Sequence, residues 1–367
     1  MATVPYSTGG AASDGGVDTV LWRPYTLRGT TFRNRAWMSP MCQYSSWDGF
    51  PTDWHRTHYP TRAVGGAGLV MFEATAVNPV GRISPADAGL WSEAHAEAYR
   101  PITAAVAAAG AVPGVQLGHA GRKASTRPPW QGRGAVAPAD GGWRAVAPSP
   151  VAFDDLPTPY ELSTMDLDRL VRDFVQATRL ADRAGFRVVE LHAAHGYLLH
   201  EFLSPLSNRR GDHLGGDLSG RMRFPLTVVD AVRHAWPADR PLLVRVSATD
   251  WVEGGWTLAE TVAFSKELAA LGVDLVDVSS GGTLPGAAIP VGPGYQVPLA
   301  AEIRRQSGLP VAAVGMLDTP AEAARVLTAR DADAVFIGRP LLRDPYWPLR
   351  APDAPADAWP VQYHRAL

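Results

Sequence analysis

The chain has 367 residues, 46% of them hydrophobic and 19% charged, and a formal net charge of −2. This length is enough for one large domain with a sizeable core. The 34 basic and 36 acidic residues nearly balance, which excludes the strongly basic surface of a typical nucleic-acid-binding protein. No stretch approaches the roughly 18 apolar residues of a membrane helix, so we expect neither nucleic acid nor a membrane as a partner.

The single cysteine, Cys42, suits a reducing compartment, because one thiol cannot form an internal disulfide or ligate a metal cluster alone. Residues 1–20 lack the basic start and the apolar run of a signal peptide, and their Gly, Ala and Ser content predicts a flexible tail. We therefore expect a cytoplasmic protein.

Eight short apolar runs, each bounded by turn residues, follow one another along the chain. Most are continuous rather than alternating, as expected of parallel strands that are covered on both faces. They are 36–41, 69–77, 112–117, 188–193, 242–247, 274–279, 310–314 and 333–337.

Amphipathic stretches of helical period lie between these runs. Examples are 93–109, 166–184, 257–271 and 319–329, the last of which begins Asp318-Thr319-Pro320, a capping residue followed by Pro near the first turn. Repeated alternation of strand and helix predicts the α/β class and a single (β/α)8 TIM barrel. A doubly wound open sheet is the alternative, disfavoured because no G-x-G-x-x-G motif follows an early strand.

One connection, residues 124–160 after the third strand, is too long for a simple loop and is rich in Pro, Gly and Trp. Loops of this length are usually lids or binding loops, and this one leaves the active-site face of a barrel. We interpret it as a capping loop within a barrel that spans 21–350, followed by a C-terminal segment, 351–367. A surface insertion without a function is the alternative.

In a barrel, functional side chains lie at the C-terminal ends of the strands. Few of the residues there are carboxylates, which disfavours a glycosidase or a magnesium-dependent enzyme. Glu73 and Asp277 precede their strand ends and Asp250 follows one, so no obvious acid pair is predicted. The ends carry Ser39, Pro40, Met41 and Cys42 with Tyr44, then Ala74, Gln116, His192 with His195 and Tyr197, Arg245, Ser279, Ser280, Gly315 and Gly338 with Arg339.

The last two strand ends, Gly315-Met316 and Gly338-Arg339, predict a phosphate site. Barrels commonly bind phosphate after strands seven and eight, where glycine lets backbone N–H groups approach and an arginine adds a cation. The alternative is that these glycines serve only tight turns.

The run from His192 to Tyr197 supports three interpretations. It could be a satisfied polar cluster, or a zinc site of a metal-dependent hydrolase that uses His192, His195 and Asp277. It could also be a pair of imidazoles that donate hydrogen bonds to a substrate oxygen, beside a tyrosine that supplies a proton.

These motifs together resemble the Old Yellow Enzyme family, in particular its bacterial thermophilic-like branch, with some similarity to xenobiotic reductases. The resemblance covers residues 21 to 365. It is carried by SPMCQYSS (39–46), EATAVNPVGRIS (73–84), QLGHAGRKA (116–124), ELHAAHGYLLHEFLSPLSNRRGDHLGG (190–216), RVSATDW (245–251), DVSSGG (277–282), GYQV (294–297), AVGML (313–317), FIGRPLLRDPYW (336–347) and VQYHR (361–365).

The resemblance implies an FMN-dependent enzyme that takes hydride from NADPH, with NADH as the alternative donor, and reduces activated alkenes, with no metal. It implies a homodimer or homotetramer in which Arg365 enters a neighbouring active site. It also implies catalytic roles for His192, His195, Tyr197 and Cys42, with Tyr44 as a further substrate contact. The implied FMN contacts are Ser39, Pro40, Met41, Cys42, Ala74, Gln116, Arg245, Gly315, Met316, Gly338 and Arg339. A yellow protein that binds flavin without catalysis is a further alternative.

Overall fold

Eight parallel strands close into a barrel in the computed structural model, which describes residues 19–366. They are β1 (Ala36–Met38), β2 (Leu69–Ala76), β3 (Val112–Gly118), β4 (Val188–Ala193), β5 (Leu242–Ser247), β6 (Leu275–Ser279), β7 (Val311–Ala313) and β8 (Ala334–Ile337). Each strand pairs with the next in the chain, and β8 pairs with β1 to close the ring. The predicted TIM barrel is confirmed, and each of the eight apolar runs overlaps one barrel strand.

Helices follow the strands and cover the outside of the barrel. They are α1 (Asp53–Val64), α2 (Glu93–Ala108), α3 (Thr164–Arg183), α4 (Leu198–Leu203), α5 (Leu218–Ala235), α6 (Leu258–Ala270), α7 (Val297–Ser307), α8 (Pro320–Thr328) and α9 (Arg339–Arg343). Among residues 19–366, no helix is both long and apolar enough to cross a membrane.

The four predicted helices are confirmed within two residues at each end. The cap of α8 is Thr319, because its side chain accepts a hydrogen bond from the Glu322 N–H while the Glu322 carboxylate accepts from the Thr319 N–H. This reciprocal pair satisfies two of the N–H groups that the start of a helix leaves unpaired.

The predicted tail, residues 1–20, lies almost wholly outside the described residues. Residues 19 and 20 already belong to a short 3₁₀ helix, Thr19–Trp22, and Val20 is buried. An antiparallel hairpin, Tyr25–Leu27 with Thr30–Phe32, follows it. Phe32 of this hairpin packs on Trp37 at a ring distance of 4.6 Å.

The capping loop after β3 contains three segments of regular structure. Two are short 3₁₀ turns, Pro129–Gln131 and Pro138–Asp140, and the third is a two-stranded pair, Val146–Ala147 with Tyr160–Glu161. Its Trp143 indole donates to the Val80 carbonyl at 2.8 Å and lies under the Arg82 guanidinium, which also faces Trp91. These contacts hold the loop against the segment that follows β2.

Candidate functional site

The strand register brings the polar residues of the barrel into one layer. Arg245 on β5 lies between His192 on β4 and Asp277 on β6, and Gln116 on β3 lies beside Glu190 on β4. Because the strands are parallel, their carboxyl ends meet at the same end of the barrel. The polar residues of β3, β4, β5 and β6 therefore converge there.

Arg245 is buried between two carboxylates that the sequence did not reveal as a pair. Its Nε lies 3.2 Å from Asp277 Oδ2, and one terminal nitrogen donates to Ser39 Oγ at 3.2 Å. Burial raises the pKa of Asp277 to about 6, although Arg245 opposes the rise. Burial, followed by repulsion from Asp277, also raises the pKa of Glu190 well above its usual range. Glu73, Asp277 and Asp250 were expected to form no acid pair, and the acid that interacts with Asp277 is a different residue, Glu190.

This layer fits the edge of a planar cofactor ring. Gln116 donates its amide to Glu190 at 2.8 Å, which leaves the Gln116 carbonyl oxygen available to accept from a ring N–H. Arg245 Nε and both Asp277 oxygens are buried without a hydrogen-bond partner in the described chain. Buried groups of this kind are normally partnered in the functional state. A flavin with polar pyrimidine edges supplies such partners.

The predicted phosphate turns lie at the end of the barrel where β8 meets β1. The Ser39 N–H donates to the Ile337 carbonyl at 3.0 Å, which brings Gly338 beside Ser39. A Cβ atom added at Gly338 would meet nothing closer than Met41 Sδ at 3.7 Å, an ordinary van der Waals contact, so this backbone is not crowded. Arg339 is exposed, and its guanidinium has no ion-pair partner within residues 19–366. Gly315 has a φ of 119°, a conformation that favours glycine, and it is followed by Met316 at a φ of 52°.

The two histidines form a hydrogen-bonded chain at the end of β4. His192 Nδ1 accepts from the Ala194 N–H at 3.2 Å, so the proton of a neutral ring is on Nε2, which lies 3.3 Å from His195 Nδ1. His195 Nε2 then donates to Ser279 Oγ at 2.7 Å. Burial, followed by repulsion from Arg245, lowers the pKa of both rings well below the usual value. Both imidazoles are therefore neutral at neutral pH, and each carries one N–H donor.

Tyr197 lies beside this pair, with its ring 4.9 Å from His192 and nearly perpendicular to it. Burial raises the pKa of its hydroxyl well above the ordinary value, and Cys42 and Tyr44 add to the rise. The phenol therefore keeps its proton across the neutral range. A small cavity with Ala74, Ile83, Asp87, His119, His192 and Tyr197 in its wall adjoins these groups.

The β1–α1 segment brings Cys42 and Tyr44 to the same region. Glu73, at a β-bulge in β2, accepts hydrogen bonds from the Gln43 N–H and the Tyr59 hydroxyl, both at 2.8 Å. These bonds fix the backbone between Cys42 and Tyr44. Burial raises the pKa of the Cys42 thiol, so it is neutral. Trp130 of the capping loop packs edge-on against Tyr44 at 5.7 Å.

Lys123 is a site residue that the sequence reasoning left without a role. Its ammonium donates to the His195 carbonyl at 2.9 Å and to the Gly282 carbonyl at 3.2 Å. It also lies 5.1 Å from the ring centre of Tyr197 and 4.4 Å from that of Phe153. Burial lowers its pKa to about 8. Its position within QLGHAGRKA, just after a predicted strand end, was the available signal.

The structure does not place the remaining predicted groups in this cluster. Asp277 faces Arg245 and not the imidazoles, so the zinc-hydrolase interpretation lacks its third ligand, and no group of three possible metal ligands is found among residues 19–366. Arg365 lies in an exposed C-terminal 3₁₀ helix, Val361–Ala366, in which Tyr363 contacts Tyr346.

Residues 20–356 match the model of the NADH:flavin oxidoreductase / NADH oxidase family. The chain belongs to this family. It is an oxidoreductase of the FMN-binding type, as the resemblance in its motifs implied.

Two curated relatives have nearly the same length as the chain. It is 46% identical over 355 residues to an NADPH dehydrogenase of Geobacillus thermodenitrificans (strain NG80-2), covering 95% of the chain and 99% of that protein. It is 45% identical over 353 residues to an NADPH dehydrogenase of Bacillus subtilis (strain 168), covering 94% and 98%.

Solved structures give the same fold. An Old Yellow Enzyme homologue from Zymomonas mobilis is 28% identical with a TM-score of 0.75, covering 92% of this chain and 96% of that one. Morphinone reductase in complex with tetrahydroNAD is 29% identical with a TM-score of 0.74, covering 90% and 89%. A 2-naphthoyl-CoA reductase has a TM-score of 0.83 at 25% identity, but the chain spans only 52% of its length.

Proposed function

We propose that the protein is an ene-reductase that takes hydride from NADPH and reduces the C=C bond of α,β-unsaturated carbonyl or nitro compounds. The observation that carries this proposal is the pairing of two neutral imidazole donors with a protonated tyrosine at one site. Such a set can bind an oxygen that gains negative charge and can supply a proton beside it.

The chain's own groups would hold the FMN. Ser39, Pro40, Met41, Cys42 and Ala74 would line the ring, while the Gln116 carbonyl and Arg245 would meet its polar edge. Gly315, Met316, Gly338 and Arg339 would hold the phosphate through backbone N–H groups and one cation. The bound cofactor would supply the hydride chemistry between NADPH and the alkene.

His192 and His195 bind the activating oxygen of the substrate. Each neutral ring carries one N–H donor, and a neutral imidazole donates without carrying a full charge into a buried site. As negative charge develops on the oxygen, these hydrogen bonds strengthen and lower the barrier. Binding the substrate requires both donors to change partner: His192 Nε2 leaves His195 Nδ1, and His195 Nε2 leaves Ser279 Oγ.

Tyr197 supplies the proton to Cα from its phenol oxygen. Because its pKa is raised, the phenol stays protonated and can act as the donor. The Lys123 ammonium over its ring stabilises the phenolate that remains after proton transfer. Tyr44 and Cys42 form the adjoining wall, and the capping loop with Trp130 limits the entry of water.

The test separates the two half-reactions. In Tyr197→Phe, we expect flavin reduction by NADPH to stay within about threefold of wild type, while alkene reduction slows by about 10²–10⁴-fold, the usual contribution of a general acid. Stopped-flow absorbance of the flavin, first with NADPH and then with cyclohexenone, measures both rates. Equal loss in both steps would contradict the assigned role, and a wild-type protein that leaves cyclohexenone unreduced would reject the function.

The proposal extends to a homodimer or homotetramer in the cytoplasm. In this assembly Arg365, which is exposed in the single chain, enters the substrate site of a neighbouring protomer. Arg365→Ala should raise the KM for the alkene without changing FMN content. Sedimentation velocity that gives a monomer at working concentration would reject this part.

A further inference from the structure

The turn that carries His195 and Tyr197 has an unfavourable backbone conformation. His195 has a φ of 59° and Gly196 a φ of 71°, so two consecutive residues lie in the left-handed region, one of them with a side chain. A Cβ atom on Gly196 would lie 2.3 Å from the Gly282 carbonyl oxygen, so the turn packs tightly on the segment after β6. Such a conformation persists only where the surroundings impose it.

Three hydrogen bonds from different elements hold this turn. The His195 N–H donates to Ser247 Oγ at 2.9 Å, and the His195 carbonyl accepts from Lys123 Nζ at 2.9 Å. The Gly196 N–H donates to His200 Nδ1, also at 2.9 Å. His200 lies on α4 and is fully buried. The imidazole of His200 is thus the acceptor for the central peptide of the turn.

This role requires one tautomer of His200. Because Nδ1 accepts the Gly196 N–H, the ring proton must be on Nε2, which faces Asp250 Oδ1 at 3.2 Å. Thr283 Oγ1 lies 3.2 Å from Nδ1, but its hydroxyl proton is already donated to Asp250. Nε2 makes no other polar contact among the described groups, and its contact with Asp250 is an ion-pair distance that falls short of hydrogen-bond geometry.

Asp250 is itself fixed and ionised. It accepts from Ser204 Oγ and Thr283 Oγ1, each at 2.6 Å, and from the Trp256 N–H at 2.8 Å. Burial alone would raise its pKa, yet His200 and these hydrogen bonds hold the pKa well below its usual range. A carboxylate in this state favours the Nε2–H tautomer of the neighbouring ring.

We propose that Asp250 and His200 form a buried positioning pair that sets the turn bearing His195 and Tyr197, and thereby places both groups for alkene reduction. This inference rests on the proposed function of His195 and Tyr197. Neither member of the pair touches substrate; Asp250 acts through the tautomer of His200, and His200 acts through the Gly196 N–H. The arrangement parallels the carboxylate that orients a catalytic histidine in other enzymes, with a peptide in place of a nucleophile.

The test uses three variants of the FMN-loaded enzyme and one matched control. Asp250→Asn removes the charge that selects the tautomer. His200→Asn keeps an acceptor oxygen near the position of Nδ1, whereas His200→Leu removes it. Asp333→Asn changes a carboxylate that pairs with Arg304 at the opposite end of the barrel. FMN content, flavin reduction by NADPH and alkene reduction are measured for each, together with ¹⁵N spectra of histidine-labelled protein.

In wild type, we expect the His200 signals to show a proton on Nε2, with assignment by their loss in His200→Asn. In Asp250→Asn, the Nδ1–H form should appear, and alkene reduction should slow about 100-fold, the cost of a misplacement of about 1 Å. Flavin reduction and FMN content should stay within about threefold of wild type. His200→Asn should recover most of the rate lost in His200→Leu, and Asp333→Asn should match wild type.

The inference is overturned if Asp250→Asn keeps the wild-type tautomer, or if it reduces the alkene within about threefold of wild type. Equal rates for His200→Asn and His200→Leu would also overturn it, because the acceptor would then be irrelevant. The tautomer readout needs no alkene, so it separates failure of this pair from failure of the proposed function.

Discussion

Replacing Arg245 by Met would leave two buried carboxylates without their nearest cation. Asp277 Oδ2 is 3.2 Å from Arg245 Nε, and neither oxygen of Asp277 has another hydrogen-bond partner in the described chain. Removing one member of a buried ion pair costs about 3–5 kcal/mol. An unpaired buried carboxylate lowers this cost by binding a proton. The protonation itself costs about 1.4 kcal/mol for each pH unit above the ordinary pKa of the carboxyl, which is near 4.

The sign of the pH dependence follows from this protonation. The pKa of Asp277 is already raised to about 6 in the folded protein, and it should rise further without Arg245. The folded variant then binds more protons than the unfolded chain above about pH 4, so its stability is highest at low pH and falls as the pH rises. We expect Arg245→Met to lose about 3–5 kcal/mol relative to wild type at pH 8, and less than about 1 kcal/mol at pH 5, where Asp277 with a pKa of about 6 is mostly protonated in wild type as well.

The assay is equilibrium unfolding in urea of FMN-stripped protein at both pH values, so that lost flavin affinity does not enter the free energy of unfolding. Together with wild type and Arg245→Met, the variants Asp277→Asn and Arg245→Met/Asp277→Asn form a double-mutant cycle that measures the interaction between the two residues. At pH 8 the double variant should regain most of the loss. A loss below about 1 kcal/mol at pH 8, or one that does not shrink at pH 5, would refute the ion-pair reasoning.

Three further outcomes are expected. Replacing both His192 and His195 by Ala should raise the barrier for alkene reduction by several kcal/mol, at roughly 3–4 kcal/mol for each lost donor; unchanged single-turnover rates would remove the substrate site. The pKa of Lys123 is lower in the folded protein than in the unfolded chain, so the free energy of unfolding of wild type rises between about pH 8 and 10.4. In Lys123→Met this rise should disappear, as urea unfolding will measure. Gly65→Ala should destabilise the protein by about 1–3 kcal/mol, since its Cβ would lie 1.8 Å from the Pro345 carbonyl, whereas Gly211→Ala, which faces open space, should leave the melting temperature unchanged.

The strands were predictable because burial on both faces leaves a continuous apolar run, and a run bounded by turn residues has few other interpretations. Two predicted strands extended beyond the observed ones next to a proline. Pro40 has no N–H to donate to a neighbouring strand, so β1 ends at Met38, and β7 likewise begins after Pro310. Helix α4 was not predicted because six residues are too few to show a helical period.

The sequence predicted which residues form the site better than it predicted how they interact. His192, His195 and Tyr197 lie within eight residues of one another and could be grouped from their spacing. The interaction between Glu190 and Asp277 could not be predicted from the sequence, because each acid lies inside a different apolar run. Only the strand register places both of them near Arg245. The tautomer of His200 likewise depends on contacts from residues 50 or more positions away.

The pairing of β8 with β1 has a consequence for the order in which the protein is made. Val335 lies opposite Ala36, so the ring cannot close until almost the whole chain has left the ribosome. Ser39 and Gly338, which lie beside each other, follow the first and the last strand of the barrel. Flavin capture is therefore a late event of biosynthesis, and a nascent chain stalled before residue 334 would emerge colourless.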